Sequence, residues 1–168
     1  MKLLLFLPIA FLSVAFTTTQ KPTFKQFIDP HASQFDFWLG EWDLSWGDTS
    51  KGTNRITKEL DGYVVQENFY NAETHFSGKS WSMYDSVNAV WKQTWVDNQG
   101  AYIVLTGKFD NEKMILTTAP AKRNGKMTIS RMIFYNIQKD SFDWNWEHST
   151  DNGKKWQVAW KIHYNRKR

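Results

Sequence analysis

The stretch Phe142-Asp143-Trp144-Asn145-Trp146-Glu147-His148 decides the fold, because large aromatic residues and polar residues alternate strictly along it. A period of two places successive side chains on opposite faces of a β-strand. One face of the predicted strand is therefore aromatic, and it also carries the polar group of His148. The sequence predicts a sheet whose buried side is aromatic and contains isolated polar side chains.

The same alternation continues on both sides of this stretch, in segments separated by turn sequences such as Asn124-Gly125. The predicted strands, about ten in all, cover residues 40–46, 53–60, 63–70, 76–84, 90–96, 101–109, 113–118, 126–137, 141–148 and 156–166. No long helical pattern lies between them, which favours antiparallel hairpins over parallel strands. We predict an all-β fold, a single antiparallel up-and-down β-barrel, because closure removes exposed edges that a two-sheet sandwich would keep.

The N-terminal region predicts a leader followed by a linker. Lys2 precedes an apolar run at residues 3–16, and Ser13-Val14-Ala15 supplies a small-x-small cleavage sequence. A membrane anchor is the alternative, but the run is shorter than the roughly 20 residues that a spanning helix needs. We predict a signal peptide at residues 1–15, a linker at 16–32 and the barrel domain at 33–168. The mature protein is then exported, periplasmic or secreted, and has no stable membrane anchor.

A short helix at residues 33–39 is predicted between the linker and the first strand, with Ser33 as N-cap and Gly40 at its end. Its apolar side would close one end of the barrel.

Composition excludes several classes of function. The chain has no cysteine, so it has no disulfide, thiolate nucleophile or cysteine metal site. Its net charge is +4, but acidic residues are interspersed along it, which argues against a nucleic-acid partner. The four histidines lack zinc-site spacing, and no phosphate-binding glycine loop occurs. We predict no metal and no cofactor.

Period-two counting assigns polar groups to the barrel interior, where they need partners or a ligand. Glu67 shares a face with Val65 and Phe69, and Arg131 shares a face with Ile129 and Ile133. We interpret Glu67 and Arg131 as an inward pair that is a structural salt bridge, a ligand-orienting pair or a catalytic pair. The candidate ligand-binding residues are Glu67, Ser80, Tyr84, Trp91, Gln93, Trp95, Arg131, Trp144, Trp146, His148 and Trp160. In the last strand Trp156 and Val158 are assigned to the same inward face as Trp160.

Gly40-Glu41-Trp42 resembles the G-x-W signature of lipocalin-like proteins. The resemblance implies that Trp42 closes the barrel floor and that an arginine near the end of the last strand, here Arg166, packs over it as a cation-π contact. It also implies a barrel of the lipocalin or fatty-acid-binding-protein type. Gly40, Trp42 and Arg166 are thus predicted structural residues.

Three longer motifs resemble an uncharacterised bacterial family of small lipocalin-like domains. They are Phe35-Asp36-Phe37-Trp38-Leu39-Gly40-Glu41-Trp42, Trp91-x-Gln93-x-Trp95-x-Asp97 and Trp146-Glu147-x-Ser149-x-Asp151-x-Gly153-x-x-Trp156. The resemblance implies the fold and brings no known catalytic residue with it. In the last motif Asp151, Gly153 and Trp156 predict a tight turn, in which Asp151 accepts backbone N–H bonds, Gly153 supplies permissive dihedral angles and Trp156 packs beneath.

The leading functional hypothesis is an exported protein that binds a small lipophilic or aromatic molecule in the barrel. A carboxylate on that ligand would be held by Arg131. One alternative is a cavity enzyme of the isomerase or hydrolase type that uses Glu67 or His148 with Arg131. Another is a glycan or envelope interaction module that uses exposed Trp38, Trp46 or Trp81.

Overall fold

The computed structural model describes residues 29–168, so the predicted signal peptide and most of the predicted linker lie outside the described residues. Within this range the chain forms eleven strands. They are β1 (Gly40–Trp46), β2 (Ser50–Glu59), β3 (Val64–Asn71), β4 (Phe76–Asp85), β5 (Val90–Asp97), β6 (Tyr102–Asp110), β7 (Lys113–Thr117), β8 (Ala121–Arg123), β9 (Lys126–Tyr135), β10 (Ser141–Ser149) and β11 (Gln157–Arg166). None of the helices in residues 29–168 has the length and apolar character needed to span a bilayer.

The strands close into an antiparallel barrel. Each strand from β1 to β6 pairs with the next, β7 pairs with β9, and β9, β10 and β11 follow in order. β11 then returns to β1, with Trp42 opposite Arg166 and Leu44 opposite Tyr164. β8 pairs with β9 outside this ring, which therefore has ten strands. The predicted up-and-down barrel is confirmed.

β8 is the strand that the sequence prediction missed. All three of its residues are exposed. Because neither face of this strand is buried, its sequence shows no alternation of apolar and polar residues. β8 continues the sheet beside the first part of β9, because β7 ends at Thr117 opposite Arg131. β7 and β8 thus pair with successive parts of β9, and β8 is an extra strand beyond the ten of the ring.

The predicted N-terminal helix is present as two short 3₁₀ turns, Pro30–Ser33 and Asp36–Trp38. The predicted N-cap was wrong: Asp29 caps the first turn, where its carboxylate accepts the His31 N–H at 2.9 Å. The Ser33 hydroxyl instead donates to the Pro30 carbonyl at 2.7 Å. The first turn thus begins within the segment 16–32 that was predicted as linker. Such short 3₁₀ turns are closed by i→i+3 hydrogen bonds and not by the i→i+4 bonds of an α-helix.

The two turns form a cap over the end of the barrel where β1 begins. Phe35 and Trp38 are 0% and 1% exposed. The ring of Phe35 packs edge to face against Trp91 at 4.7 Å and Phe134 at 5.4 Å. The indole N–H of Trp42 donates to the Trp38 carbonyl at 2.7 Å. The cap is therefore part of the hydrophobic core.

Arg166 fastens the cap to the last strand. Its guanidinium carbon lies 4.2 Å from the centre of the Trp42 ring, so the predicted contact is present. Its Nη1 and Nη2 donate to the carbonyls of Leu39 and Phe37 at 2.8 and 3.4 Å, and its Nε donates to Lys139 O at 3.1 Å. Gly40 has a φ of +119°, and a Cβ there would lie 2.6 Å from Arg166 Nη1. A glycine is therefore required beneath the arginine.

The hairpin between β10 and β11 has the predicted tight turn. Asp151 Oδ1 accepts the backbone N–H of Lys155 at 2.9 Å and the hydroxyl of Ser149 at 2.8 Å. Gly153 has a φ of +83°, and the indole N–H of Trp156 donates to its carbonyl at 3.0 Å. These contacts confirm the turn that the motif predicted.

We predict that Arg166→Ala lowers the free energy of unfolding by about 2 to 3 kcal/mol, because it removes a cation-π contact and three hydrogen bonds to cap and loop carbonyls. Urea denaturation measures the loss. Lys167→Ala is the matched control: its ammonium lies 3.9 Å from the exposed Glu41 carboxylate, and such a pair contributes less than about 1 kcal/mol. Equal losses in the two variants would contradict the role given to Arg166.

Candidate functional site

The barrel encloses a cavity of about 200 Å³. The cap residue Trp38 borders it at one end, and the cavity extends toward the opposite, uncapped end of the barrel. Aromatic rings make up most of its wall. They include Phe69 from β3, Phe76 from β4, Trp95 from β5, Trp144 and Trp146 from β10 and Trp160 from β11.

The charged side chains of the described residues that line the cavity are all acidic. Glu67 of β3 and Asp97 at the end of β5 line the cavity, whereas no lysine, arginine or histidine of residues 29–168 does. Glu67 is 6% exposed and lies deep in the barrel. Asp97 lies where the strand ends, at the uncapped end. The cavity therefore combines an aromatic wall with an acidic polar component.

Trp95 is fixed in the wall by two neighbours. Its ring lies against Gly78 of β4, where a Cβ would be only 2.0 Å from Trp95 Cζ2. Its indole N–H donates to the Asp97 carboxylate at 3.1 Å. The glycine permits this close approach, and the carboxylate sets the direction of the indole N–H. Burial acts to raise the pKa of Asp97, but hydrogen bonds from Ala101, Trp95 and Gln99 outweigh it, so the net shift is downward.

Neutral donors hold both oxygens of Glu67. Asn54 Nδ2 donates to Oε1 at 2.7 Å, and the Ser80 hydroxyl donates to Oε2 at 2.5 Å. Asn54 also donates to the phenol oxygen of Tyr164 at 3.3 Å. Gln93 Nε2 donates to Ser80 at 3.3 Å and to Ser82 at 2.9 Å. The network links β2, β3, β4, β5 and β11.

Burial raises the pKa of Glu67 to about 7, although the hydrogen bonds from Ser80 and Asn54 act in the opposite direction. Desolvation disfavours the ionised carboxylate, and no cation of the described chain compensates for it. Burial also raises the pKa of Tyr164, and the negative charge of Glu67 adds to that shift. Glu67 is thus balanced between its neutral and charged forms near neutral pH.

Two buried acceptors in the same network lack a donor among the described residues. They are Asn54 Oδ1 and Gln93 Oε1, and their residues are 2% and 1% exposed. Buried polar atoms are nearly always hydrogen-bonded. The Glu67 network therefore contains two buried acceptors without a donor, while the indole N–H of Trp38, at the capped end of the cavity, is a buried donor without an acceptor among the described residues.

Arg131 does not face the interior, and the predicted pair with Glu67 is wrong. Its Nη2 and Nε bind the Glu147 carboxylate at 2.7 and 2.8 Å, and its guanidinium carbon lies 3.9 Å from the centre of the Trp156 ring. All of these groups lie on the outer face of the barrel. The pair is structural, because Glu147 is 6% exposed and Arg131 neutralises it.

The error arose because both faces of β9 are largely apolar. Antiparallel partners that lie opposite each other share a face, and Met132 and Phe134 are opposite Trp146 and Trp144. Since both tryptophans line the cavity, Met132 and Phe134 face inward and Arg131 faces outward. The prediction chose the face with more aliphatic residues and did not test it against the strand that pairs with it.

Trp156 and Val158 also lie outside, contrary to the predicted face of the last strand. A bulge interrupts the pairing: Trp146 is opposite Trp160, but Glu147 is opposite Val158. The extra residue reverses the alternation. Trp160, Ile162 and Tyr164, which follow the bulge, face inward and line the cavity.

The remaining predicted site residues lie inside the barrel but not all at the cavity. Trp91 donates to Gln34 of the cap at 3.0 Å, and Tyr84 stacks on His31 at 5.4 Å. Ser80 and Gln93 belong to the Glu67 network. His148 lies near the end of β10, where its Nδ1 is 2.8 Å from the Ser130 hydroxyl. Burial, and secondarily the charge of Arg123, lowers the pKa of His148.

Sequence analysis missed several residues of the site. Asn54, Asp97, Ile103, Met132 and Tyr164 were not among the candidates. Asp97 was detectable, because it continues the period-two series of Trp91, Gln93 and Trp95 in one strand. Asn54 gave no comparable signal, since it lies in a polar segment, Ser50–Glu59.

The alternative functions lose part of their basis. A cavity enzyme was expected to use Arg131, which is outside. A surface module was expected to use Trp38 and Trp46, but Trp38 is buried in the cap and Trp46 packs against Trp160 at 5.4 Å. Trp81 is exposed. Within residues 29–168 no three His, Cys, Asp or Glu side chains are grouped as a metal site would require.

Compared with models of known protein families and with the sequences of characterised proteins, the chain gives no match. The resemblance to lipocalin-like bacterial domains therefore stays a prediction. Function has to be argued from the geometry of the site.

Glu67→Gln tests whether burial raises the pKa of the Glu67 carboxyl. With an ordinary pKa of 4.5 and a folded-state pKa of about 7, the unfolded chain releases this proton first as the pH rises. The wild type therefore loses up to about 3 kcal/mol of stability between about pH 5 and pH 7. The variant lacks this loss, so we expect it to be the more stable protein at about pH 8.

Urea denaturation of both proteins at about pH 5 and pH 8 measures this difference. Glu147→Gln is the matched control, because it removes a buried carboxylate that is paired with Arg131 and should destabilise at both pH values. An identical pH dependence in the wild type and Glu67→Gln would contradict the assignment.

Proposed function

We propose that this protein binds a small, largely apolar molecule, an aromatic compound of one or two rings, inside the barrel. The observation that carries the proposal is the cavity of about 200 Å³ with an aromatic wall and a buried carboxyl, that of Glu67. Ligand sites typically combine an apolar lining with a few polar groups that orient the ligand. Barrel interiors are a common place for such sites.

The volume limits the size of the ligand. An apolar cavity of about 150 Å³ holds benzene, and sites for drug-sized ligands have about 300 to 1,000 Å³. A cavity of about 200 Å³ therefore suits one or two aromatic rings rather than a fatty acid or a haem.

The sign of the wall charges limits the ligand as well. A carboxylate-bearing ligand was expected only because Arg131 was placed inside, and Arg131 lies on the outer face. Glu67 and Asp97 would repel an anion at close range. The proposed ligand is therefore neutral or positively charged.

We also propose that the protein acts outside the cytoplasm, in the periplasm or as a secreted protein. The support is the charged-then-apolar N-terminal sequence with its small-x-small cleavage site. The absence of cysteine means that an oxidising compartment poses no problem for folding.

Titration with ethylbenzene tests the proposal, with tryptophan fluorescence as the readout because five indoles line the cavity. Ile103→Trp should weaken binding by roughly tenfold or more, because Ile103 lines the cavity opposite Trp95 and a larger ring there occupies its volume. Val104→Trp changes the adjacent residue on the outer face, which is 49% exposed, and should leave the affinity unchanged.

Arg131→Ala is a second control: it should lower stability, because Glu147 loses its partner, but should not alter ligand affinity. Equal affinity in the wild type and Ile103→Trp, or no binding at all, would refute the cavity as the ligand site. Native mass spectrometry of protein purified from its own source would then identify any small molecule that it carries.

A further inference from the structure

We propose that the ligand of the cavity is an organic ammonium ion, an amine with a compact aromatic or apolar body, whose charged nitrogen lies against Glu67. This inference rests on the proposed function and specifies the chemistry of the ligand. It follows from three features of the cavity: its aromatic wall, the sign of its charges and the capacity of Glu67 to accept further hydrogen bonds.

The aromatic wall favours a cation. The faces of tryptophan and phenylalanine rings attract positive charge, and tryptophan does so most strongly. Trp95, Trp144, Trp146 and Trp160 line the cavity together with Phe69 and Phe76. Cages of such rings bind quaternary ammonium ligands, and the same attraction acts on any organic ammonium ion placed over a ring face.

The charged groups have the complementary sign. Glu67 and Asp97 line the cavity without a lysine, arginine or histidine beside them in the described chain. A buried carboxylate normally has a cationic partner, because isolated charge is costly in an apolar interior. Glu67 has neutral partners only among the described residues, namely Asn54 and Ser80. A ligand cation would supply the missing charge.

The hydrogen-bonding capacity also fits an ammonium group, which donates three bonds and accepts none. The Glu67 carboxylate has free lone pairs beyond the two hydrogen bonds it accepts. Asn54 Oδ1 and Gln93 Oε1 are buried acceptors of the same network without a donor. Neither of these two residues lines the cavity itself, so the hydrogen-bonding argument depends on Glu67, whose carboxylate can accept a bond from an ammonium group but not from a carbonyl oxygen.

Protonation of Glu67 competes with the ligand, so affinity depends on pH. The groups that face Glu67 are Asn54 from β2, Ser80 from β4 and Tyr164 from β11, and Asp97 lines the same cavity from β5. Tyr164 keeps its proton near neutral pH, because its pKa is raised, and the pKa of Asp97 is lowered. Glu67 is therefore the group that titrates, at about pH 7. Its ionised fraction rises about tenfold between pH 6 and pH 8, and ammonium affinity should rise with it.

Benzylamine and ethylbenzene form a matched pair of probes, since they differ by an ammonium in place of a methyl group. We expect the wild type at about pH 8 to bind benzylamine more tightly than ethylbenzene, and to bind benzylamine about tenfold more weakly at pH 6. Glu67→Gln should shift the preference toward ethylbenzene by roughly tenfold or more, because a charge-assisted interaction is lost. Isothermal titration calorimetry measures all of these affinities.

The outcomes separate the two proposals. If ethylbenzene binds more tightly than benzylamine to the wild type, or if Glu67→Gln leaves their ratio unchanged, the ammonium inference is refuted while the cavity function stands. If neither probe binds, or if Ile103→Trp weakens neither, the cavity function itself is refuted. Comparison of the probes in the wild type requires no variant, so a folding defect in Glu67→Gln would leave the inference testable.

Discussion

Closure of the sheet by β11 on β1 is the constraint on which the rest of the structure depends. Eight strands form a ring whose interior is about filled by its own side chains, and this ring has ten. The chain fills part of the surplus space with the cap, where Phe35 and Trp38 pack against Trp91 and Phe134. The rest remains as the cavity. The same geometry thus produces both the need for a cap and the room for a ligand.

Burial of Glu67 is tolerated because its surroundings are organised before any ligand arrives. Donors reach it from β2 and β4, the two strands that flank β3, so strand pairing fixes both of its oxygens. An apolar residue in its place would avoid the desolvation cost. What the carboxyl provides is a fixed polar group in an apolar site, where electrostatic interactions are strong because the local dielectric constant is low.

Period-two alternation predicted ten of the eleven strands and their order, because most of these strands have one buried and one more exposed face. It also placed Glu67, Trp95, Trp144, Trp146 and Trp160 on the inner face, where they line the cavity. It failed where local pattern does not determine the face. In β9 both faces are apolar, and in β11 the bulge beside Trp146 reverses the alternation. Only the pairing of β9 with β10 determines which way Arg131 points.

The outward position of Arg131 determines the charge that a ligand meets. An inward arginine beside Glu67 would have formed a neutral pair and left Asp97 as the one charged group among the described residues of the cavity wall. Instead Arg131 neutralises Glu147 on the outer face, and the interior keeps its acidic character. The chain as a whole is basic, but Lys2, Lys21 and Lys25 account for three of its four net positive charges, so residues 29–168 carry a net charge of +1. Charges farther away than about 10 Å are screened in salt solution. A ligand that enters from the uncapped end therefore meets the charge of Asp97 first and that of Glu67 deeper in the cavity. These two carboxyl groups, and not the net charge of the chain, determine which sign of ligand charge is favoured.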